Sequence, residues 1–280
     1  MLRRSLYIAL LVFLATPGHA QAPPQVPQWE FGLGAAALSV PDYRGSDERS
    51  TYVLPIPYFI YRGPVLRADR EGARLDFFRA DRVRVDLSVT AGPPAKSDED
   101  GARAGMPDLD PTLEAGAALK VLLARSDDAR QALSLQLPLR AAYATDLTYL
   151  EPIGWIASPS LSYQFIAASG WQTGLSLGAL FATEAYHDYF YEVAPPLATA
   201  TRPAYDARGG YSGSYARLTL AKRYARFWVG VFVRYDDLRG AVFEASPLVR
   251  ETGSLMWGGG IAWVFAQSER TVPQLPELFR

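Results

Sequence analysis

Cysteine is missing from all 280 residues, which excludes a disulfide framework, a thiolate metal centre and a cysteine nucleophile. Net charge is almost missing too. A formal charge of −1, from 28 basic and 29 acidic side chains, leaves no single-sign surface for nucleic acid. Histidine occurs twice, at His19 and His187, so imidazole chemistry and histidine metal sites have little to draw on. Past residue 20 no run of about 18 consecutive apolar residues occurs, which excludes a membrane-crossing helix.

What is present is aromatic, glycine-rich and only moderately charged: 16 Tyr, 13 Phe, 6 Trp and 23 Gly, with 20% charged residues. The first twenty residues read as a secretory signal peptide. Arg3 and Arg4 precede an apolar run from Leu6 to Ala15, and Gly18-His19-Ala20 supplies the small-x-small cleavage pattern. Gln21 follows the expected cut, so no lipid-modified cysteine begins the mature chain. The reading divides the chain into a signal peptide (1–20), a short linker (21–28), a β domain (29–265) and a tail (266–280).

The β assignment rests on period two. From Ala132 to Tyr143, Leu133, Leu135, Leu137, Leu139, Ala141 and Tyr143 fall on one face, and Ser134, Gln136, Pro138, Arg140 and Ala142 on the other. Trp171–Phe181, Phe227–Tyr235 and Leu255–Phe265 repeat the pattern with aromatics near the ends of the apolar face. A soluble sandwich alternates as well, but over shorter strands of about five or six residues. Long strands whose apolar face ends in aromatic rings match a lipid-facing band with interfacial girdles. The expectation is an all-β, antiparallel transmembrane β-barrel of about twelve strands in the cell outer membrane. Ten is the alternative, because Pro64–Asp69 and Ala73–Arg79 are short and highly charged. Connections alternate between tight links such as Ser169-Gly170 and long loops such as 92–110 and 183–211, as periplasmic turns and extracellular loops do.

On this reading the polar parity points inward and gathers Glu30, Arg82, Arg84, Asp86, Glu114, Arg140, Arg234 and Asp236, with Arg74, Asp76, Lys120 and Arg217 beside them. Both signs are represented, which favours a lumen closed by ion pairs over a narrow polar channel. Chemistry is sparse. His187 invites a comparison with ester-hydrolysing barrels, yet spacing fixes no serine partner, and an exposed loop histidine is the simpler reading. The acidic run Ser97–Asp100, with Asp108 and Asp110, lacks the ligand spacing of a calcium loop. Neither a metal nor a cofactor is expected.

Several blocks resemble one known family. Phe31-Gly32-Leu33-Gly34, the segment Pro41 to Asp47, Leu54 to Arg62, Tyr191-Glu192-Val193, Arg202 to Ala207, Val233 to Asp236 and Ser246 to Val249 occur in the order seen in the MipA/OmpV family of outer-membrane proteins. The resemblance implies a barrel without catalytic residues. Its name-giving member is a scaffold joining a murein hydrolase to a murein synthase, and other members are described as porin-like. Murein enzymes, outer-membrane lipid and no nucleic acid are thus the implied partners. The family-motif loops contribute Asp42, Tyr43, Gly45, Ser46, Ser246 and Pro247. Pro41 to Asp47 is expected as an exposed turn with Gly45 at positive φ. Pro55 and Pro57 cannot donate to a ladder and are expected in a bent segment, at a rim or folded inward. The Ser246–Val249 loop has apolar tips suited to folding back over the mouth.

Overall fold

The computed structural model describes residues 25–63, 66–69, 72–97, 101–146 and 148–273. The expected signal peptide, Asp98 to Asp100, the side chains of Arg74 and Asp76 and the end of the tail lie outside them. In chain order the elements are β1 (Gln25–Pro27), β2 (Trp29–Pro41), β3 (Arg49–Arg62), β4 (Leu66–Asp69), β5 (Gly72–Arg79), β6 (Val83–Gly92), β7 (Thr112–Arg125) and β8 (Gln131–Ala144). There follow β9 (Glu151–Ala157), β10 (Ser160–Ile166), β11 (Trp171–Ala182), helix α1 (Glu184–Tyr191), a 3-10 turn (Pro195–Leu197), β12 (Gly210–Arg223), β13 (Phe227–Asp237), β14 (Gly253–Gln267) and β15 (Thr271–Pro273).

The strands from β2 to β14 form one antiparallel sheet that closes on itself, with β14 pairing β2. Its thirteen elements make twelve staves, because β9 and β10 are one stave interrupted at Ser158-Pro159 and both pair β8 on one side and β11 on the other. Closure pairs the backbone with itself around the wall, apart from one edge of β3, which is the condition for spanning hydrocarbon with strands. The outer face confirms the solvent. Leu33 is 60% exposed, Leu139 52% and Ile261 51%, a continuous apolar surface that water would not tolerate. Trp29, Phe31, Phe227, Trp263 and Phe265 ring the periplasmic end, and Phe181, Tyr235 and Trp257 the extracellular end, all outward.

Strand bounds follow the period-two reading closely, with one stave misjudged. Alternation alone starts this strand at Ile156, whereas it begins at Glu151, because a bulge at Ile153, next to Gly154 at φ +121°, interrupts the period of two. The long loop after β11 is also not irregular throughout, since it carries α1. Beyond β14 the chain turns back so that Thr271–Pro273 pairs Gln25–Pro27, a small ribbon below the barrel.

Pro55 and Pro57 stand in an unbent strand, contrary to the expectation. The Arg62 N–H donates to the Gln28 carbonyl (2.8 Å) and the Asp42 N–H to that of Glu48 (3.1 Å), in register with the β2–β3 ladder. Even-numbered residues of β3 therefore bond β2, and odd-numbered ones turn their backbone to the far edge. On that edge β4 reaches only Tyr61 and Arg62. Both prolines thus face an edge without a partner strand among the described residues, where a missing N–H removes a donor that has nothing to bond.

Inside, buried acids sit among cations. Glu30, wholly buried, lies between Arg62 (2.8 Å) and the guanidinium of Arg223, while Lys120 meets Asp86 at 2.9 Å and Arg140 meets Glu114 at 2.9 Å. Small residues make room for large ones: a Cβ on Gly230 would stand 2.2 Å from the Trp228 ring, and one on Gly258 2.7 Å from Phe232. The Gly258–Gly260 run therefore lets neighbouring groups approach its backbone closely.

Removing the carboxylate of Glu30 leaves two largely enclosed guanidinium groups without their counter-ion. Glu30→Ala is expected to destabilise the barrel by about 3–5 kcal/mol, read as a lower urea midpoint in the gel shift between folded and unfolded forms. An unchanged midpoint would show that water already screens Arg62 and Arg223.

Candidate functional site: the sealed mouth and the cavity beneath it

The extracellular ends of the staves are joined by loops that form a packed core of their own. Tyr43, Ala95, Leu109, Tyr191, Val193, Ala207, Leu238, Phe243 and Leu248 are all buried in it, and the rings of Tyr191 and Phe243 stack at 3.7 Å. The connections 42–48, 93–111, 183–209 and 238–252 all contribute. Hydroxyls lock the loops together, with Tyr43 donating to the Leu248 carbonyl (2.7 Å), Tyr191 to that of Arg44 (2.8 Å) and Ser246 to that of Tyr191 (2.7 Å). Arg103 donates to the carbonyls of Phe190 and Pro107, and Arg202 to those of Ala102, Ala104 and Leu197.

The turn 41–47 is therefore packed rather than exposed: Tyr43 and Ser46 are buried, because the apolar loop 238–252 covers them. Gly45 has φ +100°, as expected, and a Cβ there would crowd Leu238 and Val249 at 3.1–3.3 Å. Asp42 accepts from the Ser50 hydroxyl (2.6 Å), and the Ser46 hydroxyl accepts the Glu48 N–H (3.1 Å). Ser246 is buried and Pro247 half-buried beside it. Burial holds the Tyr43 phenol up at about 12, so it remains a donor to Leu248.

Of the residues assigned to the lumen, Glu30, Arg84, Asp86, Glu114, Arg140 and Asp236 are buried inside and Arg234 is half-buried. Arg82 is not with them. It lies in the turn before β6, exposed, and its carbonyl accepts the Leu122 N–H. Two of the ion pairs tie the plug to the wall. Asp236 holds Arg234 (2.7 Å) and the loop residue Arg44 (3.0 Å), and Glu114, paired with Arg140, accepts from the Tyr186 hydroxyl of α1 at 3.1 Å.

His187 is wholly buried on α1, not exposed in a loop, because its helix lies across the mouth under Phe243, whose ring is 4.7 Å from the imidazole. Nδ1 donates to the Arg208 carbonyl (2.5 Å), which fixes the tautomer, and Nε2 accepts from the Ser212 hydroxyl (2.7 Å). A serine partner thus exists, 25 residues on. Nothing in the sequence marked it, since Ser212 opens β12 amid ordinary alternation. Ser212 is 1% exposed and His187 0%, so the pair is closed to any substrate in this conformation.

Below the plug the lumen holds a cavity of about 630 Å³. Its wall is largely apolar, with Ile56, Tyr58, Ile166, Trp228 and Phe232, and its polar groups include Gln164, Gln172 and Arg217. Sequence parity placed Arg217 inside but gave no sign of a cavity.

A closed antiparallel sheet with an apolar outer face, charged interior and plugged mouth defines an outer-membrane β-barrel. The family model for MltA-interacting protein MipA matches residues 33–265, and the chain belongs to that family. Among solved structures it is similar to the COG4313 outer membrane channel from Pseudomonas putida F1 (16% identity, 90% of this chain and 100% of that one, TM-score 0.38). It is similar also to the NanC porin (8% identity, 83% and 98%, TM-score 0.38) and to a bacterial polysaccharide outer membrane secretin (9% identity, 86% and 100%, TM-score 0.41). A search of the curated proteins gives no match.

Burial depresses the affinity of His187 for a proton, the neighbouring Arg44 adds to this, and the Arg208 carbonyl opposes it. The neutral ring is the form the plug accepts. Plug stability is therefore full above the unfolded value of about 6.5 and declines as pH falls below it, where only the opened state takes up the proton. Asp188, raised by burial, acts in the opposite direction, so the comparison with His187→Gln isolates the imidazole. Backbone hydrogen exchange over α1, corrected for intrinsic rates, should show more opening at pH about 5 than at about 7.5 in the wild type and a smaller difference in His187→Gln. Equal differences in both would sink the assignment.

Proposed function

We propose that the mature chain, exported by residues 1–20 and freed of them, is a non-enzymatic outer-membrane anchor for murein-processing enzymes. The observation that carries this reading is the filled mouth. A solute channel needs an open path, whereas here the loops spend their apolar residues and hydroxyls on sealing one another. The family's description as a protein that interacts with MltA supports a murein hydrolase as partner, and the resemblance to the family's name-giving scaffold adds a murein synthase beside it. Such a partner works in the periplasm, so its contact surface is the short turns, the ribbon of β1 and β15 and the tail. The buried His187–Ser212 pair fits a structural clasp, since its hydrogen bonds tie α1 to β12.

The test is capture from solubilised outer membranes by the tagged barrel. Murein hydrolase should be retained, and a Val26→Asp, Val272→Asp double variant that disrupts the ribbon should retain less while keeping its folded gel position. Failure of the intact barrel to retain any murein enzyme overturns the proposal. In planar bilayers the wild type should give no discrete steps, and deleting Phe243 to Arg250 should produce them. Regular steps from the intact protein would favour the channel instead.

A further inference from the structure

The barrel wall is incomplete on one side. The ladder puts Tyr61 opposite Ala68, and β4 ends at Asp69, so β3 from Thr51 to Pro57 runs beyond it. Pairing of β5 with β6 stops at Asp86, and from Leu87 to Gly92 β6 is bonded to β7 alone among the described residues. β5 itself runs on to Gly72, paired there with β4 alone. It is above the β4–β5 tip, which lies opposite Ile60 of β3, that two staves are absent, a gap of about 14 Å between flanking backbones at a strand spacing of about 4.8 Å. Above, the opening is spanned by the Tyr52 hydroxyl, which donates to the Pro94 carbonyl (3.2 Å); below, it is floored by the β4–β5 hairpin. Inward parity on β3 includes Leu54, yet Leu54 is 51% exposed, unlike Tyr58 and Ile60 on the same face at 3% and 2%. Val53, on the outer face at the same height, is 73% exposed. This is a window in the wall, at the height of the apolar band.

β3 is shared between the window and the cavity, since Leu54, Ile56 and Tyr58 line both the inner face of that strand and the 630 Å³ space. The cavity is apolar except at a few points, and one of them is an uncompensated cation. Among the described residues each buried acid of the lumen already faces a base: Glu30 has Arg62 and Arg223, Asp86 has Lys120, Glu114 has Arg140, and Asp236 has Arg234 and Arg44. Arg217 has no ion pair among the described residues. Its Nε is buried without a hydrogen bond, its guanidinium lies 5.6 Å over the Phe232 ring, and Arg234 stands directly opposite it in the ladder. An anion at this point would be welcomed by a charge that has no other outlet.

We propose that the cavity binds a single-chain amphiphile with a carboxylate head, the head on Arg217 and the chain along Ile56 and Leu54, and that the chain enters or leaves through the window between β3 and β6. The unpaired carbonyls of the β3 edge, with two of its donors removed by Pro55 and Pro57, leave that edge a poor template for another strand, which favours an apolar occupant over a second copy of the barrel. This reading is independent of the murein partner and survives or fails separately from it.

The measurement is binding of the fluorescent fatty acid cis-parinaric acid, and of its uncharged methyl ester, to the barrel in lipid nanodiscs. The acid should bind saturably, and the ester about tenfold more weakly, the scale of one charge-assisted hydrogen bond. Arg217→Gln should weaken the acid by the same factor and leave the ester unchanged, whereas Arg217→Lys should keep most of the affinity. Because the chain has no cysteine, Leu54→Cys gives a unique thiol at the window. It should react with an apolar maleimide, and added fatty acid should slow that reaction. Absence of saturable binding, or equal affinity for acid and ester on the wild-type protein, overturns the carboxylate site. A Leu54→Cys thiol that is unreactive before any fatty acid is added overturns the window and points to its being covered by another copy.

Discussion

Hydrocarbon cannot hydrogen-bond, and that constraint organises the whole chain. A sheet that spans a bilayer must pair its backbone with itself, so it closes, and closure forces a two-faced strand: apolar toward lipid, and polar or small toward a confined interior. From β2 to β14 the sequence obeys this with little deviation. The exception is equally informative. Where β4 and β5 end early and an edge is left open, Pro55 and Pro57 occupy the positions whose N–H would face the opening. The edge that closure fails to protect is the one stripped of donors.

The interior follows from the same confinement. A charge inside the barrel is removed from bulk water on most sides, and it is tolerable only with a partner close by. Glu30 between two arginines, the Lys120–Asp86 and Arg140–Glu114 pairs and the Arg44–Asp236–Arg234 cluster meet that condition with distances near 3 Å or less. Two of these groups, Glu30 and Asp236, each hold two guanidinium groups, so the interior keeps every buried acid in them paired rather than balancing charge one to one. Against that background Arg217 stands out, because it has no ion pair among the described residues and rests over the Phe232 ring instead.

Much of the wall was legible because period two is a strong signal when strands are long and one face is lipid. Trp171–Ala182 is a strand at the bounds its alternation gives, and the aromatic ends of the face are the girdles. The choice between ten and twelve strands has a physical source. The two short charged segments are genuine strands, yet they complete the wall only toward the periplasmic end, so the barrel has twelve staves low down and ten at the window. The mouth was far less legible. α1, the burial of His187 and its bond to Ser212 depend on loops from four parts of the chain meeting at one place, and no local pattern announces such a meeting. Family-motif residues were visible as blocks, but their common purpose, a packed seal, appears only when Tyr43, Ser46, Ser246 and Leu248 are seen to touch the same helix or one another.

Seal and wall are not independent pieces. The plug is anchored to the lumen at two charged points, Arg44 on Asp236 and Tyr186 on Glu114, both belonging to ion pairs that the staves β7, β8 and β13 require for their own neutrality. Loosening the plug would leave these acids with one partner fewer in a poorly hydrated space, so the loops are held by electrostatics as well as by the Tyr191–Phe243 stack. No such anchor reaches β3 below Tyr52, where the wall is open and lined by Leu54 and Ile56. The axial route is therefore the costly one to open and the lateral route is already open. A molecule that uses the lumen of this barrel meets the bilayer more easily than it meets the outside of the cell.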